Sequence, residues 1–277
     1  MTAETRVPVR GPQYLIAPEP RPTSDVPYHH DRAPGQKYLL VDGDRLPGSP
    51  LYLALRRIDT VPADQPRWLD PHRHNCNSFY VFIGDGPALT GLEAMVTLAD
   101  STVAVGSPAA VLVPPRMLHS YWLTSGSGWY LQITLCATYA ASLLPDDDES
   151  SDTAPSIADP IQTAVQTEHG WRFVDSQLFP EPGVRIAVNE IRTGDSTTGE
   201  ASRPDPGSMS IGVLLARENA AARARLTGAN GSVEVTAPAT SIALGSAHSF
   251  SAIEDALVVW IAPDAAFGSN HEVTAAP

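Results

Sequence analysis

Two histidines one residue apart, His72 and His74, have the spacing of two ligands of a metal site. Side chains two positions apart on a β-strand point to the same face, so this spacing predicts two imidazoles that face the same way. Imidazole is a common ligand of divalent metal ions. The alternation of the following residues predicts four more side chains on this face, which is expected to line the inside of a barrel. They are Cys76, Ser78, Tyr80 and Phe82.

A third histidine, His119, follows an apolar strand that ends at Pro114 and Pro115. A tight connection after the two prolines would let a new aromatic strand begin at His119. We therefore expect the imidazole of His119 to return to the same cavity as the first pair and to be the third metal ligand. The alternative is a cluster of buried structural histidines without a metal.

At these positions the sequence resembles the cupin family. The first cupin motif contains His-x-His, a carboxylate about four residues later and a glycine turn, and the second contains Gly, Pro-x-Gly and a final His. The chain matches the two motifs at His72, His74, Gly84, Gly106, Pro114 and His119. The resemblance implies a metal site formed by the three histidines.

Two positions depart from the cupin motifs. Ser78, with Asn77 beside it, stands where the glutamate ligand is usual, and Arg116 stands where a glycine usually precedes the last histidine. The ligand set therefore resembles that of the three-His thiol dioxygenases, in which the resemblance implies Fe(II), a small amino-acid-like thiol and dioxygen. Three neutral ligands leave a metal its full charge and about three open positions. Nickel, manganese, copper and zinc are alternatives, because imidazole sites accept all of them.

Polar side chains near the histidines are candidates for catalysis and substrate binding. Tyr80 and Tyr121 are predicted to position activated oxygen by hydrogen bonding. Four residues are predicted to bind the substrate, namely Arg56, Ser78, Arg116 and Gln132. An inward arginine in a barrel needs a carboxylate partner, which a substrate could provide. The alternative for Arg56 and its neighbour Arg57 is an edge strand on which both are solvated.

Three classes of function remain open. The first, which we favour, is a metal-dependent oxygenase that oxidises a small polar acid, with cysteine or a related thiol acid as the most specific candidate. The second is a redox-neutral isomerase, cyclase or lyase, in which the metal polarises a carbonyl and a side chain such as Tyr121 moves a proton. The third is a non-catalytic bicupin that binds a small molecule.

The composition favours a cytoplasmic protein that binds small molecules. The net charge of −13 at pH 7, with Lys37 as the only lysine, argues against nucleic acid and anionic membranes as partners. No apolar run approaches the roughly 18 residues of a membrane-spanning helix, and the first residues lack a signal-peptide pattern. Two cysteines, Cys76 and Cys136, do not indicate a disulfide framework. The expected partners are a small-molecule substrate and dioxygen, and a homodimer is left open.

The length of 277 residues and the many short strands between Gly, Pro and Asn turns predict an all-β chain. With the resemblance, this implies two cupin barrels of the jelly-roll type, with few short helices. We expect an extended arm at 1–37, a barrel with the metal site at 38–144, an acidic linker at 145–160 and a second barrel at 161–277. In the arm, His29, His30 and Asp31 form either a metal cluster or, as we favour, a flexible polar turn.

The second barrel is predicted to be a degenerate copy of the first. When its strands are aligned with those of the first barrel, the positions of the two leading histidines fall on Pro204 and Pro206, which cannot bind a metal. Only His248 remains as a counterpart of the third histidine, and a lone imidazole seldom holds a metal by itself. We therefore expect His248 to be a structural histidine.

Overall fold

The protein is described by a computed structural model that covers residues 13–64, 67–145, 159–198, 209–217, 222–229, 231–244 and 248–263. Within these residues the chain is almost entirely β-strand, and its one α-helix has four residues. It divides into two compact units, each with an antiparallel seven-stranded sheet and a smaller sheet. The prediction of an all-β fold with few short helices is confirmed.

The N-terminal unit consists of Glu19–Ala164 and Ser176–Pro182. Strands are numbered along the chain, and β1 (Gln13–Ile16) belongs to the other unit. The N-terminal unit contains β2 (Glu19–Arg21), β3 (Gln36–Val41), β4 (Tyr52–Ile58), β5 (Ser78–Gly84), β6 (Leu92–Leu98), β7 (Ser101–Gly106), β8 (Ala109–Val113), β9 (His119–Gly126), β10 (Gly128–Thr134) and β11 (Ile161–Thr163). Its short helices are two 3-10 helices, Thr23–Asp25 and Pro87–Leu89, and α1 (Tyr139–Ser142).

The two sheets of the N-terminal unit share one apolar core. The larger sheet has the order β11-β8-β5-β10-β4-β3-β2, and the smaller has the order β7-β6-β9. The core contains side chains from both sheets, including Tyr80 and Phe82 of β5, Val96 of β6 and Tyr121 of β9. Because β5 lies at the centre of its sheet, both of its faces are buried, and Phe79 on the other face packs against Phe179. The segment that contains His72 and His74 therefore leads directly into a buried interior strand.

The C-terminal unit consists of Met1–Pro18, Val165–Asp175 and Gly183–Pro277. Besides β1 it contains β12 (Val165–Thr167), β13 (Gly170–Val174), β14 (Val184–Ile191), β15 (Ser196–Thr198), β16 (Met209–Leu215), β17 (Arg223–Gly228), β18 (Gly231–Thr236), β19 (Ala239–Leu244), β20 (Ser249–Ala252) and β21 (Ala256–Pro263). The larger sheet has the order β1-β19-β16-β21-β14-β13-β12, and the smaller has the order β15-β20-β17-β18. Its core includes Leu226, Phe250 and Trp260.

The boundaries of the two units differ from those drawn on the sequence. The segment at 1–37 contributes β1 to the C-terminal unit and β2 to the N-terminal unit, because each strand pairs with an edge of a different sheet. Strand β11, which falls after the expected linker, pairs with β8 of the N-terminal unit. Most of the acidic linker lies outside the described residues, as do Pro204 and Pro206. Among the described residues, no helix is long and apolar enough to cross a membrane.

Candidate metal centre

Three histidines converge inside the N-terminal unit. The candidate ligand atoms of His72, His74 and His119 all lie within 4.8 Å of one another. The three rings are packed together with centroid separations of 4.4 to 5.2 Å, and none of the side chains is more than 2% exposed. The structure thus brings together the three residues that their sequence spacing predicted as metal ligands.

A short ladder outside the named strands aligns two of these histidines. His72 and His119 are directly opposite each other, and each donates its backbone N–H to the carbonyl of the other at 3.1 Å. Directly opposite residues of an antiparallel pair present their side chains on the same face. The expectation of an unbroken strand from His74 through Cys76 is wrong, because the chain bends at Asn75 and Cys76 and β5 begins only at Ser78.

Arg116 acts on the site through its backbone. Its φ is 69°, a left-handed conformation that favours glycine, at the position where the cupin motif has glycine. In this conformation its N–H donates to the carbonyl of His74 at 2.7 Å. The side chain is exposed. The predicted substrate-binding side chain of Arg116 therefore lies at the surface and not with the buried histidines.

The Nδ1 atoms of two histidines have backbone partners that fix their protonation. Nδ1 of His72 lies 2.9 Å from the carbonyl oxygen of Asp70, and Nδ1 of His119 lies 2.9 Å from that of Met117. A carbonyl oxygen can only accept, so each Nδ1 carries the proton and donates it. In a neutral imidazole this leaves the lone pair on Nε2, which is the atom available to a metal.

His74 reaches the same tautomer through helix α1. Its Nδ1 lies 2.8 Å from Oγ of Ser142. The Ser142 hydroxyl donates its single hydrogen to the carbonyl of Tyr139 at 2.6 Å, so its oxygen accepts from Nδ1–H of His74. Ser142 is thus a positioning residue that the sequence reading did not identify.

Burial keeps these imidazoles neutral. Desolvation, with a smaller contribution from His72, lowers the pKa of His74 to about 3 and holds the pKa of His119 well below its ordinary value. Among the described residues, Nε2 of His74 and Nε2 of His119 have no hydrogen-bond partner. An unsatisfied buried acceptor costs about 1–3 kcal/mol, and a divalent metal among the three Nε2 atoms would remove that cost. The residues present therefore fit a three-His metal site.

Tyr139 and His29 extend the cluster, and the sequence reading missed both. The Tyr139 hydroxyl lies 2.7 Å from Nε2 of His72 and 3.0 Å from Nε2 of His29. Because Nε2 of His72 carries no proton, the hydroxyl donates to it and accepts from Nε2–H of His29. Burial lowers the pKa of His29 and raises that of Tyr139. The available sequence signal was the three-residue spacing of Tyr139 and Ser142, which places both on one side of a helix.

The arm residues that precede β3 contact different parts of the N-terminal unit. His29 is only 6% exposed and pairs with Leu69 in an isolated bridge. His30 faces solvent and lies 2.9 Å from Asp70, and Asp31 accepts from the backbone and hydroxyl of Ser24. The three residues thus have separate partners and do not form a metal cluster.

A cavity lies beside the histidine cluster and contains the predicted Arg56. The cavity is lined by His29, Lys37, Ala54, Leu55, Arg56, Tyr121, Tyr130 and Gln132. Arg56 is 3% exposed and donates to the carbonyls of Pro34 and Gly35 at 3.2 and 3.1 Å and to Oγ1 of Thr23 at 2.8 Å. Its guanidinium also lies 5.3 Å from the ring centre of Trp68. The predicted edge-strand alternative for Arg56 is therefore wrong.

The cavity has an excess of positive charge. Nζ of Lys37, the only lysine of the chain, pairs with Asp25 at 2.5 Å. Arg56 makes no ion pair with any residue that the structure describes. The adjacent Arg57 points the other way, where it makes a bidentate pair with Asp85 at 2.8 Å and lies over Trp129. Within the described part of the chain, the buried cation Arg56 therefore has no carboxylate partner of its own.

The remaining predicted residues are all buried but differ in their surroundings. Gln132 lines the cavity, and its Nε2 has no partner among the described residues. Tyr121 also lines the cavity, and burial raises its pKa. The Tyr80 ring centre is 5.8 Å from that of His119, and its hydroxyl has no partner in the described part of the chain. Ser78 donates to Oγ1 of Thr134 at 3.3 Å.

In the described part of the C-terminal unit, one buried histidine, His248, lies just before strand β20, as His119 lies at the start of β9. His248 is 4% exposed, packs 5.0 Å from Trp260, and has no partner for either ring nitrogen among the described residues. Burial lowers its pKa to about 4. In the part of this unit that the structure describes, no group of three potential metal ligands occurs. Within the described residues His248 thus lacks the companion ligands of a metal site, and its structural role stays a prediction.

Comparison with models of protein families and with curated proteins gives no match. Solved structures do match. AerE from Microcystis aeruginosa superposes with a TM-score of 0.54 at 12% identity, over 90% of this chain and 98% of AerE. A mutant of Bacillus subtilis oxalate decarboxylase superposes with a TM-score of 0.56 at 14% identity, over 89% of this chain and 77% of the decarboxylase. A formate complex of Lactobacillus farciminis oxalate decarboxylase superposes with a TM-score of 0.56 at 14% identity, over 90% of this chain and 87% of that enzyme.

These matches cover both units of the chain. The structural neighbours are cupin proteins, and the likeness shows that this chain has a cupin fold. The prediction of cupin architecture from the two histidine motifs is confirmed. At these low identities the likeness concerns the fold, so the chemistry of the site has to be argued from the residues themselves.

Proposed function

We propose that this chain is a metal-dependent cupin enzyme whose metal is held by His72, His74 and His119. The observation that carries this proposal is the set of three Nε2 lone pairs gathered at one place, with every Nδ1 proton already committed to another acceptor. Structural histidines normally satisfy their buried nitrogens, whereas two of these Nε2 atoms have no partner among the described residues. A divalent ion would satisfy all three.

The substrate that best suits the cavity is a small carboxylic acid. Arg56 uses three of its five N–H groups in hydrogen bonds, which leaves one on Nε and one on Nη2. Donors on these two neighbouring nitrogens match the two oxygens of a carboxylate. Gln132 lines the same cavity, and its amide Nε2 has no hydrogen-bond partner among the described residues. A carboxylate would therefore neutralise the buried cation and satisfy the amide.

The reaction that we favour is oxygenation, with iron(II) as the metal and with cysteine or a related thiol acid as the first substrate to test. A neutral three-His ligand set leaves a metal enough open positions to hold a substrate and dioxygen together, and this is the chemistry that the bound metal would supply. Manganese is a serious alternative, since the Bacillus subtilis oxalate decarboxylase has Mn(II) centres. Nickel, copper and zinc also bind imidazole.

The buried pair of Tyr139 and His29 favours a second candidate, a redox-neutral isomerase, cyclase or lyase. With Nε2 of His72 engaged as a metal ligand, the Tyr139 hydroxyl would lose its acceptor, and its hydrogen would be available to a bound substrate. His29, whose Nε2–H donates to the Tyr139 oxygen at 3.0 Å, would stabilise the negative charge that develops there when the hydroxyl gives up its proton. A tyrosine whose oxygen accepts a hydrogen bond from a histidine is suited to act as a general acid. Tyr121, the earlier candidate for this role, lines the cavity nearby.

The first test is the metal content of protein purified without oxygen. We expect about one metal per chain in the wild type and a loss of at least tenfold in His72→Ala, His74→Ala and His119→Ala. His248→Ala, which removes a buried histidine from the C-terminal unit, is the matched control and should keep its metal. Unchanged metal content in the three folded variants would overturn the proposed site.

The second test separates the reaction classes. Oxygen uptake and product formation are measured with cysteine, small amino and hydroxy acids, and oxalate. Uptake that depends on the acid would support the oxygenase, and turnover of an acid without oxygen would support the redox-neutral enzyme. Arg56→Met should raise KM for the acid at least tenfold, whereas Arg57→Met, a change of the adjacent outward arginine, should not. Metal-loaded protein that binds none of these acids would contradict the proposed substrate class.

A further inference from the structure

The only two cysteines of the chain lie near each other, Cys76 just before β5 begins and Cys136 just after β10 ends. The register of these antiparallel strands ends with Ser78 paired with Thr134. The pairing continues by one more residue, because the N–H of Leu135 donates to the carbonyl of Asn77 at 2.9 Å. The next pair in this register is Cys76 and Cys136.

The geometry at this position suits a disulfide. Asn77 and Leu135 share a backbone hydrogen bond, so continuation of the register would make Cys76 and Cys136 a pair of the non-hydrogen-bonded kind, in which Cα atoms are about 4.5 Å apart. Disulfides span Cα separations of about 4.4–6.8 Å. The side chains of Cys76 and Cys136 are within hydrogen-bond reach of each other. The structure contains both as half-buried thiols without a covalent bond.

Both cysteines belong to segments that hold the histidine cluster. Cys76 follows His74 by two residues, and Cys136 precedes Tyr139 by three. The segment after Cys136 carries Ser142, whose hydroxyl accepts from Nδ1 of His74. A covalent bond between the cysteines would therefore tie His74 to the helix that orients its ring.

We propose that Cys76 and Cys136 form a reversible disulfide that fixes helix α1 against His74. The bond forms by exchange with a small-molecule disulfide of the glutathione type. The thiolate of one cysteine attacks the reagent's S–S bond and expels one thiolate, and the second cysteine attacks the mixed disulfide and expels the other. Two protein thiols lose two electrons and two protons, and the reagent is reduced to two thiols.

The covalent part of the proposal is tested on the full chain without reference to its metal. The protein is incubated with oxidised glutathione, the remaining thiols are alkylated, and the peptides are identified by mass spectrometry. We expect a peptide pair linked through Cys76 and Cys136, reversed by dithiothreitol, and a rise in Tm of about 5 °C or more. Cys76→Ser and Cys136→Ser should each stop at a glutathione adduct.

Two results would overturn the disulfide. One is that both cysteines remain open to alkylation in the folded wild type at every oxidant concentration. The other is that the wild type accumulates the same mixed adduct as the single variants. Neither result depends on whether the three histidines bind metal, so a failure here is distinct from a failure of the proposed function.

The coupling to the histidine cluster rests on the proposed function and has its own readout. Metal release to a chelator is followed for the oxidised and the reduced wild type. We expect metal release from the oxidised form to be at least threefold slower, because the disulfide would keep the Ser142 hydroxyl in its hydrogen bond with Nδ1 of His74. The double variant with Cys76→Ser and Cys136→Ser should release metal at the same rate with and without oxidant. Equal rates for the two wild-type forms would overturn the coupling.

Discussion

The chemistry of the candidate centre is decided by single protons on imidazole rings. Each Nδ1–H donates a hydrogen bond to an oxygen that acts there only as an acceptor. The lone pair of each ring therefore lies on Nε2. Only that of His72 has a partner among the described residues, the hydroxyl of Tyr139. The Tyr139 hydroxyl occupies the lone pair that His72 would offer to a metal, so Tyr139 would compete with metal binding. The competition makes the role of Tyr139 measurable.

Tyr139→Phe should bind metal more tightly than the wild type. The change removes the hydrogen bond that occupies Nε2 of His72, which contributes about 1 kcal/mol and hence roughly a fivefold gain in affinity. Competition with a chromophoric chelator measures it. Tyr52→Phe, a change in a buried tyrosine that packs 5.4 Å from Tyr139, is the control and should have no effect. Weaker binding in Tyr139→Phe would mean that the hydroxyl is itself a ligand.

The buried imidazole of His248 should make the C-terminal unit sensitive to acid. Burial lowers its pKa from 6.5 in the unfolded chain to about 4 in the folded chain. Above pH 6.5 both states are neutral, and between 6.5 and 4 only the unfolded state takes up a proton. The free energy of unfolding should therefore fall by roughly 3 kcal/mol as the pH drops through this window.

Urea unfolding of the C-terminal unit at pH 7, 5 and 4 measures this effect. In His248→Phe the contribution of this histidine should disappear, and the variant should be more stable at pH 4 because it buries no unpartnered nitrogen. An identical pH dependence in the wild type and the variant would show that His248 does not titrate in this way.

At the scale of elements, the site depends on short segments rather than on the long strands. A two-residue bridge aligns His72 with His119, and a four-residue helix supplies Tyr139 and Ser142. Thr138 begins this helix, because its hydroxyl accepts from the N–H of Ala141. Such short segments are stabilised by their contacts and not by intrinsic propensity. The β5–β10 strand pair that precedes them supplies the rigid support.

Removal of residues 1–18 should weaken the C-terminal unit and leave the metal site intact. Strand β1 pairs with β19 at the edge of the C-terminal sheet, and Leu15 packs against its core. The loss of this strand uncovers an edge and apolar surface, so Tm of the C-terminal unit should fall by several degrees. Deletion of residues 1–12, which retains β1, is the control. Equal stability of the two truncations would show that β1 contributes nothing.

The sequence predicted the three histidines because their placement follows local rules. A period of two sets the faces of His72 and His74, and the two prolines end β8 before His119. The contact of Tyr139 with His29 spans 110 residues and follows no periodicity, so no local rule could predict it. The left-handed backbone conformation of Arg116 could not be predicted from the sequence, because an arginine usually avoids that conformation. The strands of the C-terminal unit could be predicted, because short apolar runs between turn residues are typical of β-strands.

At the scale of the whole molecule, the chain contains two cupin-type units with different chemical content. The N-terminal unit holds three clustered histidines and a cationic cavity. In the described part of the C-terminal unit, the corresponding place holds His248 beside Phe250 and Trp260. Ligands of the site should therefore stabilise the N-terminal unit selectively.

Metal removal should change the dynamics of the N-terminal unit alone. A metal present at about a thousand times its Kd stabilises the folded state by about 4 kcal/mol. After chelation, hydrogen exchange should become faster in β5, β9 and α1 and stay unchanged in β16 and β21. Mass spectrometry of the peptides measures both sets in one experiment. Faster exchange throughout β16 and β21 would contradict the selective effect.

The burial of Lys37 has a consequence for the outer surface of the protein. It is the only lysine in the sequence, it is 4% exposed, and its ammonium group is paired with Asp25. The surface of the folded protein therefore presents no lysine amine. Reagents that acylate amines, and conjugation reactions that attach a modifier to lysine, should act on Lys37 only when the fold around the cavity opens. The rate of Lys37 acylation would then measure how often that opening occurs.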